Sequence, residues 1–154
     1  MAVIQKIKFK RATRAHVGSL LRLVEKYYRF DHIPFHRAKI RAGLKLLLSK
    51  NSFGRAWLID AEGQTAGYVV LTFGFDYEFG GRTALITDLY LEPTFRGRGL
   101  GRRALDHVEA FCRKAGIAAM ELQVEHKNRR AARLYRSFGF EPLPRIPMCR
   151  PLSQ

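Results

Sequence analysis

The stretch Arg96-Gly97-Arg98-Gly99-Leu100-Gly101 places three alternating glycines among arginines, directly after an apolar segment that ends at Pro93. The residues from Leu100 to Ala115 then carry apolar side chains at helical spacing, which predicts a strand–turn–helix unit. Glycine lets the backbone approach an anion closely, and the first turn of a helix has N–H groups without partners. The sequence therefore predicts that this turn binds a phosphate group.

Two better-known glycine-rich phosphate motifs do not fit this turn. A Walker loop ends in Gly-Lys-Ser or Gly-Lys-Thr, and the sequence contains neither. A dinucleotide fingerprint that starts at Gly97 and Gly99 requires a third glycine at the position of Arg102. The turn is thus a phosphate loop of another kind.

The order of predicted elements around this loop defines the fold class. Because a helix connects the strands before and after it, those two strands are predicted to run parallel. Two earlier hairpins predict antiparallel neighbours, so we expect an α/β (α+β) fold with a mixed, mostly antiparallel central sheet and flanking helices. No linker or repeat divides the chain, which predicts a single domain over residues 1–154. The predicted strands cover 7–10, 56–60, 66–73, 83–91, 120–124 and 148–152, and the helices lie near 17–28, 40–48, 100–115 and 131–138.

Composition narrows the functional classes. The chain has 28 Lys and Arg against 13 Asp and Glu, a net charge of +15 that attracts anions. No RNA-binding or zinc-finger pattern accompanies this charge, so no nucleic-acid partner is expected. Cys112 and Cys149 lack metal-ligand spacing, which predicts no metal site. We see neither a signal peptide nor a membrane-spanning run, and expect a cytoplasmic protein without a membrane partner.

A second motif follows the loop by about thirty residues. It reads Asn128-x-x-Ala131-x-x-Leu134-Tyr135-x-x-x-Gly139-Phe140, and together with the glycine turn it resembles the GCN5-related N-acetyltransferase (GNAT) family. A weaker similarity is the closing segment Met148 to Leu152, so the resemblance extends over most of the chain. It implies transfer of an acetyl group from acetyl-CoA to a primary amine by direct attack. It also implies a parallel strand pair splayed for the cofactor, and a homodimer.

The resemblance further implies where the cofactor lies. Backbone N–H groups of the loop would bind the pyrophosphate, and the strand before the loop would bind the pantetheine. Within that strand the Leu91 N–H would lie near the acetyl carbonyl and stabilise the oxyanion. Tyr135 would lie near the sulfur and Asn128 against the cofactor arm. The residues expected to contact acetyl-CoA are Leu89, Tyr90, Leu91, Arg96, Gly97, Arg98, Gly99, Leu100, Gly101, Arg102, Asn128 and Tyr135.

The same comparison suggests the catalytic groups. Tyr135 is expected to protonate the leaving thiolate as a general acid. The incoming amine must lose a proton, and either Asp88 or Glu125 could accept it. Strand alternation places Asp88 and Tyr90 on the face opposite Leu89 and Leu91. An inactive acyl-CoA sensor on the same fold is the alternative, which an intact Tyr135 argues against.

The acceptor site is predicted from two aromatic and acidic groups. Tyr28, Phe30 and Asp31 end the first helix, while Phe75, Asp76 and Tyr77 lie on the middle hairpin. Aromatic walls with carboxylates suit a cationic amine. The hairpin is similar to the spermidine/spermine-type branch of the family, although Thr87 stands where some of those members carry a glutamate. The sequence leaves open whether the acceptor is a small amine or a peptide amine.

Overall fold

A computed structural model describes Ala2 and residues 4–153, which fold around a five-stranded sheet in the order β1-β2-β3-β4-β5. All neighbouring strands are antiparallel except β4 and β5, which are parallel, and this confirms the predicted mixed sheet. Short 3-10 turns cover Arg14–His16 and Pro93–Phe95. The elements are β1 (Ile7–Arg11), α1 (Val17–Phe30), α2 (Arg37–Ser49), β2 (Gly54–Ala61), β3 (Gln64–Asp76), β4 (Gly81–Leu91), α3 (Leu100–Lys114), β5 (Ala119–Leu122) and α4 (Arg129–Phe138).

Helices cover both faces of this sheet. Helices α1 and α2 pack on one face, where Leu20 and Leu44 belong to the same buried cluster as Tyr68 of β3. Helices α3 and α4 cover the other face, where Leu105 lies in a cluster with Val69. Tyr68 and Val69 are consecutive in β3, so the two-residue period of the strand supplies one side chain to each core.

The final strand expected over Met148–Leu152 does not form. Residues 141–153 contain no helix or strand in the structure, and β5 is the edge of the sheet. The physical reason is the proline content of the segment, because proline has no N–H to donate to a sheet ladder. Prolines stand at positions 142, 144, 147 and 151.

A β-bulge in the middle of β4 exchanges the faces of that strand. Val70 of β3 pairs with Asp88, but Leu71 pairs with Ile86, so Thr87 is an extra residue. Before the bulge, Ile86 joins the core on the α3–α4 side. After it, Tyr90 joins the core on the α1–α2 side. Both positions are even-numbered, so a regular strand would place both side chains on the same face. The bulge therefore turns Asp88 away from α3 and toward α1.

Candidate active site

The glycine turn offers a series of unpaired backbone donors. Gly97 and Gly99 adopt φ values of 72° and 81°, a left-handed conformation that favours glycine. The first N–H of this region to bond back is that of Arg103, which donates to the Gly99 carbonyl at 3.2 Å. Within the described part of the chain, the N–H groups of residues 97–102 donate to no protein acceptor. This arrangement at a helix N-terminus fits an anionic diphosphate.

The first two arginine side chains of the loop hold it in place. Arg96 donates from Nε to the Leu91 carbonyl at 2.8 Å, and its guanidinium carbon lies 4.3 Å from the Phe30 ring centroid. Arg98 donates to the Ala2 carbonyl and pairs with Glu62. Since both guanidinium groups are bound elsewhere, the anion site of this turn consists of main-chain donors.

The pairing of β4 with β5 runs from Thr83 to Ile86 and ends where β5 ends, at Leu122. Strand β4 continues to Leu91, so its last residues have no paired strand on the β5 side. The Glu92 N–H donates to the Ala66 carbonyl on the β3 side at 2.8 Å. Because main-chain groups alternate along a strand, those of Leu91 and Leu89 face the open edge. This geometry supports the prediction that both leucines bind the pantetheine, a prediction that stays untested.

Asp88 lies on the α1–α2 side of this edge. Its Oδ2 accepts a hydrogen bond from the Tyr68 hydroxyl at 3.1 Å. Burial raises the pKa of the Asp88 carboxyl, the Tyr68 hydrogen bond opposes that rise, and the charge of Asp31 adds to it. Among residues 2 and 4–153, no lysine, arginine or histidine nitrogen lies within 4.0 Å of either acid. Asp88 is thus a partly buried carboxylate without a cationic partner.

Tyr135 approaches the same carboxylate from α4. Burial raises the pKa of the Tyr135 hydroxyl, and the nearby charge of Asp88 raises it further. The phenol therefore keeps its proton at neutral pH, which a general acid requires. Helix α4 packs against the start of α3 next to this tyrosine. A Cβ at Gly101 of α3 would come within 2.9 Å of the side-chain Cδ2 of Leu134, the neighbour of Tyr135 on α4.

Asn128 has a structural role at the start of α4. Its side-chain oxygen accepts a hydrogen bond from the Ala131 N–H at 3.2 Å and caps α4. Contact between Asn128 and the cofactor remains a prediction, since the cap uses only the side-chain oxygen.

Of the two candidate bases, Glu125 lies beyond the end of β5, exposed and paired with Lys127 at 3.2 Å. Asp88 is partly buried and its charge adds to the rise in the pKa of Tyr135, whereas Glu125 is exposed.

The two predicted acceptor groups lie far apart. Asp31, at the end of α1, is near enough to raise the pKa of Asp88. The pKa of Tyr28 is raised first by burial and then by the charge of Asp88. The hairpin group is distant, because Asp76 pairs at the strand end while Val70, six residues earlier, pairs with Asp88. At about 3.3 Å per residue this separation is roughly 20 Å. The hairpin side chains are also exposed, with 71% of Phe75 and 88% of Tyr77 accessible.

One tyrosine at Asp88 was missed by sequence reasoning. Tyr68 stands inside an apolar run of β3. The available signal was chemical, because a tyrosine within a buried strand must place its hydroxyl against a polar partner. The identity of that partner depended on the bulge at Thr87.

Comparisons with known proteins agree with this geometry. Residues 19–140 match the model of the acetyltransferase (GNAT) family.

In the described residues no helix has the length and apolar character of a membrane span. Across the same part of the chain, no three metal-ligating side chains gather in one place.

Individual relatives and solved structures extend this finding. Thialysine N-epsilon-acetyltransferase from Mus musculus is 25% identical over 88% of this chain and 85% of its own length. An integron cassette protein from the mobile metagenome of Cole Harbour Salt Marsh superposes with a TM-score of 0.84 at 30% identity, over 95% of this chain and 91% of that one. The aminoglycoside N-acetyltransferase AAC(6')-Iy, solved with CoA, shares the fold with a TM-score of 0.80 at 16% identity, over 96% of each chain. The chain described here belongs to the acetyltransferase (GNAT) family and is an acyltransferase.

Proposed function

We propose that this protein transfers an acetyl group from acetyl-CoA to a primary amine that enters from the α1–α2 side of the sheet. The observation that carries this proposal is the unpaired edge of β4 beyond Ile86, where β5 has ended. At that edge, the bulge at Thr87 directs main-chain groups of β4 to one side and Asp88 to the acceptor side. A single irregularity of the strand thus serves both substrates.

The residues present fit acetyl-CoA. The unpaired N–H groups of residues 97–102 suit the pyrophosphate, and an ideal Cβ at Gly99 would meet no heavy atom within 4 Å, which leaves room for the ligand. The open edge of β4 would hold the pantetheine through Leu89 and Leu91. When bound, acetyl-CoA supplies an activated thioester. The Leu91 N–H would stabilise the negative charge that develops on the thioester carbonyl.

Tyr135 and Asp88 divide the proton transfers between them. Tyr135 donates a proton to the leaving thiolate, because its raised pKa keeps the phenol protonated. Asp88 receives a proton from the incoming amine, directly or through water. Its raised pKa makes it a stronger base than an ordinary aspartate. Glu125, which is exposed and bound to Lys127, is the weaker candidate for this step.

The acceptor is proposed to be a small amine or the amine of a peptide. Its pocket would be formed by Tyr28, Phe30 and Asp31 at the end of α1, next to Asp88. Lys26 of the same helix pairs with Glu92 at 2.6 Å, which ties this end of α1 to the exit of β4. This salt bridge therefore links the helix of the acceptor pocket to the segment that leads into the cofactor loop. A homodimer and a cytoplasmic location also remain proposals, as does the single-domain organisation.

An acceptor screen tests this function. We would measure thiol release from acetyl-CoA with thialysine, diamines, polyamines, aminoglycosides and peptide N-termini, and confirm the acetylated product by mass spectrometry. We expect release with at least one amine, and a loss of at least about tenfold in kcat/KM in the Asp88→Asn variant. Glu125→Gln serves as the comparison, with kcat/KM near the wild-type value. Equal losses in the two variants would remove Asp88 as the preferred base, and no release with any amine would contradict the function.

A further inference from the structure

A fully buried phenol holds the acceptor-side carboxylate. Tyr68 of β3 has 0% of its surface exposed, and its ring lies 6.1 Å from that of Tyr90 within the same core. A buried hydroxyl must find a hydrogen-bond partner, and here the partner is Oδ2 of Asp88 at 3.1 Å. No other side-chain hydrogen bond to the Asp88 carboxylate is formed by the described residues. Tyr68 thus fixes one carboxylate oxygen and leaves Oδ1 for a ligand.

The surroundings of Asp88 otherwise work against its negative charge. After burial, the charge of Asp88 raises the pKa values of Tyr27 and Tyr28 on α1 and of Tyr135 on α4. Asp31, at the end of α1, adds to the rise that burial causes in the pKa of Asp88. All of these groups are neutral phenols or a second carboxylate. The chain contains 28 lysines and arginines, yet the structure gives Asp88 no salt bridge to any of the described ones. A buried carboxylate without a counter-ion is unfavourable, and a bound cation relieves that cost.

We propose that Tyr68 is a positioning residue that holds Asp88 as a charged counter-ion for an acceptor that arrives as an ammonium ion. This inference rests on the proposed function and assigns the acceptor class, a cationic amine. One proton then passes from the ammonium nitrogen to Oδ1 of Asp88, which leaves a neutral amine and a neutral carboxylic acid. The acid returns the proton to solvent after transfer. Tyr68 itself neither gains nor loses a proton.

Two substitutions should shift the Asp88 pKa in opposite directions. Tyr68→Phe removes a hydrogen bond that favours the charged form, so the pKa of the carboxyl rises and the acidic limb of kcat/KM moves to higher pH. Asp31→Asn removes a negative charge that disfavours the charged form, so the limb moves to lower pH. The ionisation of the amine contributes equally to the pH profile of kcat/KM in every variant. A purely structural role for Tyr68 would change the height of the profile without this displacement.

The experiment combines carboxyl carbon-13 NMR titration of Asp88 with pH profiles of kcat/KM for thialysine, or for the best amine of the screen. Val69→Ala, a truncation next to Tyr68 on the opposite face, is the control for loss of packing and should leave the pKa of Asp88 in place. The NMR titration needs no turnover, so it tests Tyr68 even if the proposed function fails. An unchanged Asp88 pKa in Tyr68→Phe overturns the proposal. A shifted NMR pKa with an unmoved kinetic limb also overturns it, because Asp88 would then not meet the acceptor.

Discussion

The cofactor loop and the acceptor pocket lie at the same end of β4 but are built in different ways. The loop is one continuous segment, and its chemistry comes from main-chain N–H groups between residues 97 and 102. The pocket assembles side chains from α1, β3, β4 and α4 around Asp88. A contiguous main-chain site depends on glycine conformation, whereas an assembled side-chain site depends on strand register and burial. The two regions should therefore respond differently to mutation.

The largest effect is expected where the two regions meet, at Tyr135. Tyr135→Phe removes the proton donor while keeping the ring that contacts Phe140, so kcat should fall by about 10²-fold. The dissociation constant for acetyl-CoA should stay near the wild-type value, since the loop is untouched. Steady-state kinetics and calorimetry measure the two quantities. Unchanged turnover would remove Tyr135 from the mechanism.

A smaller effect is expected from the loop itself. Gly99→Val places a β-branched side chain at a φ of 81° and fills the space that the phosphate needs, so acetyl-CoA affinity should fall by about tenfold or more. Gly80→Val is the matched control, because Gly80 has a φ of 79° and open space around its Cβ but lies in the hairpin turn. Similar acetyl-CoA affinities in the two variants would contradict the placement of the pyrophosphate.

The pocket should show its effect in stability. The folded-state pKa of Asp88 is raised above the unfolded value, so the protonated carboxyl contributes to the free energy of unfolding. This contribution is fully present below the unfolded pKa of about 4, and it is lost as pH rises through the folded-state pKa. Asp88→Asn should therefore raise Tm by a few degrees at neutral pH, at about 4 °C or less per kcal/mol. Near pH 3 the difference from wild type should disappear. Calorimetry at both pH values measures this, and a lower Tm at neutral pH would argue that Asp88 is already paired.

The smallest effect is expected at the β3–β4 hairpin. Tyr77 is 88% exposed and roughly 20 Å along β3 from the residue that pairs with Asp88. Tyr77→Ala should change KM for a small amine by about twofold at most, whereas Tyr28→Ala should raise it several-fold. A larger effect at Tyr77 would indicate that the acceptor is long, or that a second copy brings its hairpin to the pocket.

The fold could be predicted to a large extent from the sequence. The element order, the parallel pair and the helix opened by Leu100 followed from apolar periodicity and from glycine and proline positions. The prediction of a final strand over 148–152 was wrong, because prolines before and within that segment cannot donate to a sheet ladder. Local patterns are reliable where the backbone itself decides the structure.

By itself, the sequence determined the phosphate loop, because glycines with left-handed φ followed by a helix form an anion site from consecutive residues. It also placed Tyr135 on a helix. Only the tertiary structure decided that Asp88 faces α1 and lies against Tyr68, since one extra residue at Thr87 reverses the faces of the strand. Strand register is a property of paired strands, and no single segment specifies it.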